Sequence, residues 1–200
     1  ISLWSQPASA REIGQIPAGD GSAWLQHISA KWAPLAAELG QVPSAPGGEG
    51  AGQLVDLAAY YQTLGARGLH IGDGLKQKSV QVRTNGSRIE ITFPQSGHPT
   101  VGFVDPALLD TCFHAIAASL AVVSKVPQME AKPAAPLIPF SWERYGVRRK
   151  AAISGVSIEM NPPASQPVSD GATHANLWFF DCDGDWVAMM EGLCLRPISP

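Results

Sequence analysis

The chain has 200 residues, of which 45% are hydrophobic and 16% charged, and 14 basic against 17 acidic side chains leave a net charge of −3. That length buries a core without disulfide or metal staples, and the composition is that of a folded globular chain, not a disordered one. Near-neutrality, with no basic cluster larger than Arg148-Arg149-Lys150, argues against a nucleic-acid surface, and no apolar stretch is long enough to span a membrane. Three widely spaced cysteines (Cys112, Cys182, Cys194) form neither a disulfide framework nor a zinc pattern. They suit a reducing compartment, so a cytoplasmic location is expected. The first residue is Ile1, inside a strand-like run and without a signal-peptide flank, so the chain reads as a piece of a longer polypeptide.

In chain order, Ile1–Ser5 predicts a short strand, residues 6–21 a loop, and the stretch around Ala23–Trp32 a second strand. Residues 40–52 are built of Gly, Pro, Ser and Ala and read as a linker or exposed loop. Leu54, Leu57, Ala58, Tyr61 and Leu64 recur at helical steps, predicting a helix over Leu54–Gly68 that Gly65 or Gly68 ends. Val80–Ile91 alternates about Asn85-Gly86, the strongest short hairpin signal. A turn centred there pairs Val82 with Ile89 and Val80 with Ile91 on an apolar face, leaving Gln81, Glu90, Arg83 and Arg88 on a wet one.

Asp105 as cap and Pro106 as first helical residue start a long helix over residues 107–124. Leu109, Phe113, Ile116, Leu120 and Val123 give it an apolar stripe, and its hydrophobicity marks it as central. The remainder reads as strands: Leu137–Tyr145, Ala152–Met160, and a hairpin of His174–Asp181 and Asp185–Arg196 turning at Asp183-Gly184. About two helices and six or seven strands, with one very apolar helix, predict an α+β layer with an antiparallel sheet.

On the central helix Asp110 and His114 stand at i and i+4, close enough round the axis for their side chains to meet. Ala117, Ala118 and Ala121 continue that strip and leave room beside the pair, although an exposed helical pair with alanine filler fits the same spacing. Asp181-Cys182-Asp183-Gly184-Asp185 has the look of a calcium loop, but the sixth and twelfth positions are Trp186 and Gly192, so a hairpin turn explains it better. The other histidines (His27, His70, His98, His174) are scattered and form no zinc pattern, and no metal site is expected. Neither a phosphate-binding glycine loop nor a Gly-x-Ser-x-Gly elbow is present.

Several stretches together resemble one family. Asp105-Pro106-Ala107-Leu108-Leu109-Asp110-Thr111-Cys112-Phe113-His114 is similar to the motif that carries the catalytic Asp of polyketide synthase dehydratase domains. Leu137-Ile138-Pro139-Phe140-Ser141-Trp142 resembles the strand that follows it, and the run from Asp183-Gly184 to Glu191-Gly192-Leu193-Cys194-Leu195-Arg196-Pro197 resembles the closing strand. Trp24-Leu25-Gln26-His27 and Tyr60-Tyr61-x-x-Leu64 are similar to segments further upstream in that family.

The resemblance implies a hotdog fold, an antiparallel sheet wrapped round a central helix, here as the C-terminal half of a double hotdog. Residues 1–39 would then be the connection out of an N-terminal hotdog, 40–53 the linker, and 54–200 the C-terminal hotdog. It implies that Asp110 is the acid that protonates the departing hydroxyl of a β-hydroxyacyl thioester, with His114 orienting it. Gly72, Leu75, Ala117 and Pro139 would border the substrate. A carboxyl in that role needs its proton held near neutral pH, which burial favours. The family's base is a His in an HxxxGxxxxP motif that these residues lack, so the chain alone is expected to be inactive. No cofactor is implied. The substrate would arrive on the phosphopantetheine arm of acyl carrier protein, and the partners would be that carrier, the N-terminal hotdog, other domains of the same secondary-metabolic synthase, and a second copy in a homodimer.

One departure stands out. Where the family has a Y-G-x-x-F site this chain reads Ile71-Gly72-Asp73-Gly74-Leu75. That opens two alternatives to dehydration: a variant that shifts a double bond or closes a pyran ring, and a non-catalytic structural module.

Overall fold

The computed structural model describes residues 2–5, 25–29, 42–47, 52–66, 68–73, 80–93, 104–123, 136–161 and 171–197. Two compact units make up the chain, Ile1–Ala37 and Glu38–Pro200. In the first, β1 (Ser2–Ser5) pairs antiparallel with β2 (Leu25–Ser29), Ser2 opposite Ser29 and Ser5 opposite Leu25.

The second unit holds an eight-stranded antiparallel sheet and two helices. Its elements are β3 (Gln53–Val55), α1 (Leu57–Ala66), β4 (Gln81–Thr84), β5 (Arg88–Thr92), α2 (Pro106–Val123), β6 (Leu137–Ser141), β7 (Arg144–Val147), β8 (Gly155–Met160), β9 (Thr173–Phe180) and β10 (Trp186–Pro197). The strands run in the order β3-β4-β5-β8-β9-β10-β6, with β7 also on β10. Helix α2 touches β3, β4 and β5 toward one end of the sheet and β6 at the other, so the sheet curls round the helix.

Burial follows from that wrapping. Leu108, Cys112, Ala115 and Ile116 of α2 are shut off from solvent against Val82, Ile89, Ile91, Val156, Ile158, Leu177 and Leu193 of the sheet. Each such aliphatic side chain contributes roughly 1.5–3 kcal/mol by leaving water. Of the stripe the periodicity picks out, Ile116 is fully buried, while Leu109, Phe113 and Leu120 pack only partly buried at the margin of this core.

Three local expectations change. Leu54 is not the first residue of the helix but a residue of β3, 61% exposed; Asp56 starts α1 instead, its Oδ1 accepting the Ala59 N–H at 3.0 Å. The β4–β5 hairpin pairs Val82 with Ile91 and Thr84 with Ile89, so its turn is centred on Gly86-Ser87. Asn85 Oδ1 accepts the Ser87 and Arg88 N–H groups at 3.1 and 2.8 Å, and Gly86 takes the positive φ of +91° that the first central residue of a II′ turn requires. The single strand expected over Leu137–Tyr145 is two, β6 and β7, lying end to end along β10.

The stretch expected to be a linker has a described part, residues 42–47, that is held down. Val42 and Ala45 pack with Trp178, Phe180, Met189 and Trp186 in a second apolar cluster. The Arg88 guanidinium bonds the Ser44 hydroxyl at 3.1 Å and its carbonyl. Gly155 leaves space for Pro46, whose ring lies 2.7 Å from where a Cβ would stand.

Candidate active site

Helix α2 starts as its sequence demands. Asp105 Oδ1 accepts the Ala107 N–H at 2.7 Å, and Pro106 needs no partner for a donor it lacks. The residue before the cap is tied to the sheet: the Val104 N–H donates to the Tyr145 hydroxyl of β7 at 2.7 Å. So fixed, the helix presents Asp110 and His114 on one side, with Ala117 half-buried a turn further along.

Asp110 and His114 do meet. His114 Nδ1 stands 3.5 Å from Asp110 Oδ2, the imidazole 13% and the carboxylate side chain 31% exposed. Oδ2 itself is buried and takes no hydrogen bond. A third side chain joins them from α1, where the Tyr61 hydroxyl lies 3.4 Å from the same Nδ1. The Tyr61 ring is edge-on to the imidazole, with centroids 5.3 Å apart, and the Tyr60 ring stands at 6.0 Å.

Burial sets the protonation of this group. It pulls His114 below the ordinary imidazole value of 6.5, against a smaller opposing pull from Asp110. It pushes the Tyr61 phenol up to about 12, helped by the charge of Asp110 and by Tyr60. Near neutral pH the imidazole is therefore uncharged and the phenol keeps its proton. Burial, then Asp110, also push the Cys112 thiol far up, which makes it an inert core side chain rather than a nucleophile.

The remaining candidates are dispersed. Pro139 lies exposed on β6, opposite Leu195 of β10, on a strand that touches α2. Gly72 is exposed in the segment after α1, with open space where a Cβ would stand. Leu75, Trp24 and His98 lie outside the described residues. An open cleft of about 420 Å³ is lined by Glu143, Asn161, His174, Asn176, Glu191 and Gly192, none of them from the Asp110–His114 pair. The aspartate-rich run after β9 is a turn: the Gly184 N–H bonds the Asp181 carbonyl at 3.1 Å, with Gly184 at φ +80°. Among the described residues no three His, Cys, Asp or Glu side chains are grouped to hold a metal ion.

Tyr61 is the member of the site that sequence reasoning passed over. It counts there as one residue of an apolar stripe and of a segment that carries the family resemblance, not as a site residue. The available signal was the phenol itself, a hydroxyl on a helix face otherwise made of Leu and Ala, which needs a polar neighbour once half-buried.

A sheet curled round one long helix is the hotdog architecture, and known proteins with that architecture match this chain. The dehydratase domain of RzxB from Pseudomonas fluorescens is 22% identical with a TM-score of 0.56, over 78% of this chain and 54% of its own. The dehydratase domain of the CurJ module of the curacin polyketide synthase is 23% identical with a TM-score of 0.55, over 74% and 51%. An isomerase-inactive variant of GphF DH1 is 22% identical with a TM-score of 0.60, over 99% and 64%. The chain thus spans between half and two thirds of the length of these domains. No curated protein matches it. The family described as "Polyketide synthase dehydratase N-terminal domain" matches residues 41–200. The chain belongs to the polyketide synthase dehydratase family.

Among the described residues no helix is long and apolar enough to cross a membrane.

Proposed function

We propose that this chain is the acid-bearing half of a dehydratase-type domain that eliminates water from a β-hydroxyacyl thioester carried on acyl carrier protein. A base from the rest of the polypeptide takes the α-proton. The electron pair of that C–H bond forms the alkene while the β-carbon–oxygen bond breaks. Asp110 delivers its proton to the leaving oxygen, so that water and an α,β-unsaturated thioester result. His114, one helical turn on, stands against the carboxyl and limits where it can turn; an uncharged imidazole there does not clamp Asp110 as an ion pair would.

The observation that carries this reading is Asp110 Oδ2, buried and without a hydrogen-bond donor, 3.5 Å from an imidazole that burial keeps neutral. Ala117 lies a turn along α2 from the pair and Pro139 on β6, which touches α2, and with Gly72 and Leu75 they would border the acyl slot. The assignment to the C-terminal half follows from the Asp-bearing helix motif, whereas the matching family is described by its N-terminal domain. Under this reading residues 1–39 are the connection, 40–53 the linker and 54–200 the hotdog. The exposed edge of β6 with Ile138 and Phe140 would then adjoin the other hotdog, and the enzyme would need no cofactor and work in the cytoplasm.

A second reading has one specific observation in its favour. The segment with Ile71-Gly72 brings no phenol or aromatic ring to the site, and one structural relative is an isomerase-inactive variant of a dehydratase, so a double-bond shift is the alternative. The deciding experiment uses the longer polypeptide that supplies the base, incubated with a synthetic β-hydroxyacyl thioester and with its unsaturated product. Water loss that disappears in Asp110→Asn supports the elimination. A shifted alkene formed without water loss supports the isomerase, and unchanged water loss in Asp110→Asn removes Asp110 as the acid.

A further inference from the structure

Nδ1 of His114 faces two oxygens at nearly equal range, the Tyr61 hydroxyl at 3.4 Å and Asp110 Oδ2 at 3.5 Å. A neutral imidazole carries one N–H and one lone pair, so Nδ1 either accepts a proton bond or donates one, never both. The geometry of a hydrogen bond is met toward Tyr61, while Oδ2 has no hydrogen-bond partner although it is closed to solvent. A carboxylate oxygen closed to water and next to an N–H takes it, because a buried acceptor left unpaired is costly. That combination favours Nδ1 as an acceptor over Nδ1 as a donor. The edge-on contact of the Tyr61 ring holds the imidazole plane in the orientation this needs.

We propose that Tyr61 is a positioning residue that fixes the tautomer of His114: its O–H donates to Nδ1, which places the ring proton on Nε2 and leaves Asp110 Oδ2 without an imidazole donor. The three groups come from two helices, so the packing of α1 on α2, rather than the i,i+4 spacing alone, sets the hydrogen-bond state of the acid. Burial keeps the phenol protonated and the ring neutral, so donor and acceptor hold their roles across the neutral range. The value of this for proton donation rests on the dehydratase reading. The tautomer itself does not.

The test is long-range proton–nitrogen correlation of the imidazoles in the 15N-labelled 200-residue chain at neutral pH, with the His114 signals identified by their loss in His114→Gln. The expected spectrum shows Nε2 protonated and Nδ1 as the acceptor. Tyr61→Phe keeps the ring and removes the hydroxyl; it should move the proton toward Nδ1, now free to donate to Asp110. Asp110→Asn should leave the proton on Nε2. A wild-type ring protonated on Nδ1, an unchanged tautomer in Tyr61→Phe, or a switch in Asp110→Asn would each overturn the proposal. The wild-type spectrum decides even if Tyr61→Phe does not fold. Unchanged water loss in Asp110→Asn would sink the dehydratase reading and leave the tautomer result standing, so the two failures are told apart.

Discussion

Two aspartates of this chain, both drawn into the protein, are treated in opposite ways. Asp181, at the end of β9 and 7% exposed, is saturated. Its Oδ1 accepts the Asp183 and Asp185 N–H groups at 3.1 and 3.0 Å, and its Oδ2 accepts from the Arg149 guanidinium, which also reaches Asp185 at 3.0 Å. Asp110 has an oxygen just as closed to water, yet no donor reaches it, and its neighbour is a neutral ring. A carboxylate that must stay ionised for structure is given donors and a cation. Under the dehydratase reading Asp110 must lend a proton, and a carboxyl in that role is better left without donors, because each donor stabilises the anion. The contrast separates a turn-forming aspartate from one whose buried oxygen has no donor, and under the dehydratase reading the second is the acid.

The largest expected effect lies at Asp110. Its change to Asn should cut water loss by about 100-fold or more, the scale of a lost general acid. The folded state should stay within about 1 kcal/mol of the wild type, since no hydrogen bond to Oδ2 is given up. Rates on a β-hydroxyacyl thioester, paired with urea unfolding, read both quantities. A variant that is both inactive and strongly destabilised would make Asp110 structural, like Asp181.

Asp181→Ala should show the reverse balance. It strips two backbone donors of their acceptor and should cost about 2 kcal/mol, since the Arg149 guanidinium, 40% exposed, keeps water and Asp185. Urea unfolding of the chain is the measurement, and a cost below 1 kcal/mol would mean that the turn holds itself. Gly184→Ala probes the same turn more gently. At φ +80° a Cβ costs about 1 kcal/mol, and the nearest atom, the Ala45 methyl at 3.6 Å, adds only ordinary contact.

The sequence discloses this contrast only in part, for reasons that particular residues make plain. The Asp110–His114 pair, the Asp105-Pro106 helix start and the Asp183-Gly184 turn are local patterns, and each is found in the structure. The hairpin turn fell one residue away from Asn85-Gly86 because the Asn85 side chain serves better as a cap outside the turn than as a backbone within it. The pairing moved by two residues, and a shift of two keeps every side chain on its own face, so Val82, Ile89 and Ile91 still point inward. On α2 the apolar residues run nearly all the way round, and periodicity alone could not say which of them the sheet would cover. Tyr61 was hidden for a stronger reason. It lies 53 positions from His114, and only the packing of two helices brings them together.

The smallest effect is also the sharpest test of the neutral imidazole. Burial holds the folded-state pKa of His114 below 6.5, so as pH falls past 6.5 the unfolded chain binds a proton that the folded chain does not yet take. Proton binding that favours the unfolded state lowers stability, so this residue's contribution is present above pH 6.5 and is lost as pH falls toward the folded-state value. His114→Gln removes that titration. Unfolding free energies measured from pH 5 to 8 should fall less steeply on the acid side in His114→Gln than in the wild type, and the two slopes should coincide once pH exceeds 7 by a margin. The opposite sign, with the wild type gaining on the variant as the solution is acidified, would mean that an imidazolium–carboxylate pair forms. Asp110 would then sit opposite a cation as Asp181 does, and the difference between the two aspartates would vanish.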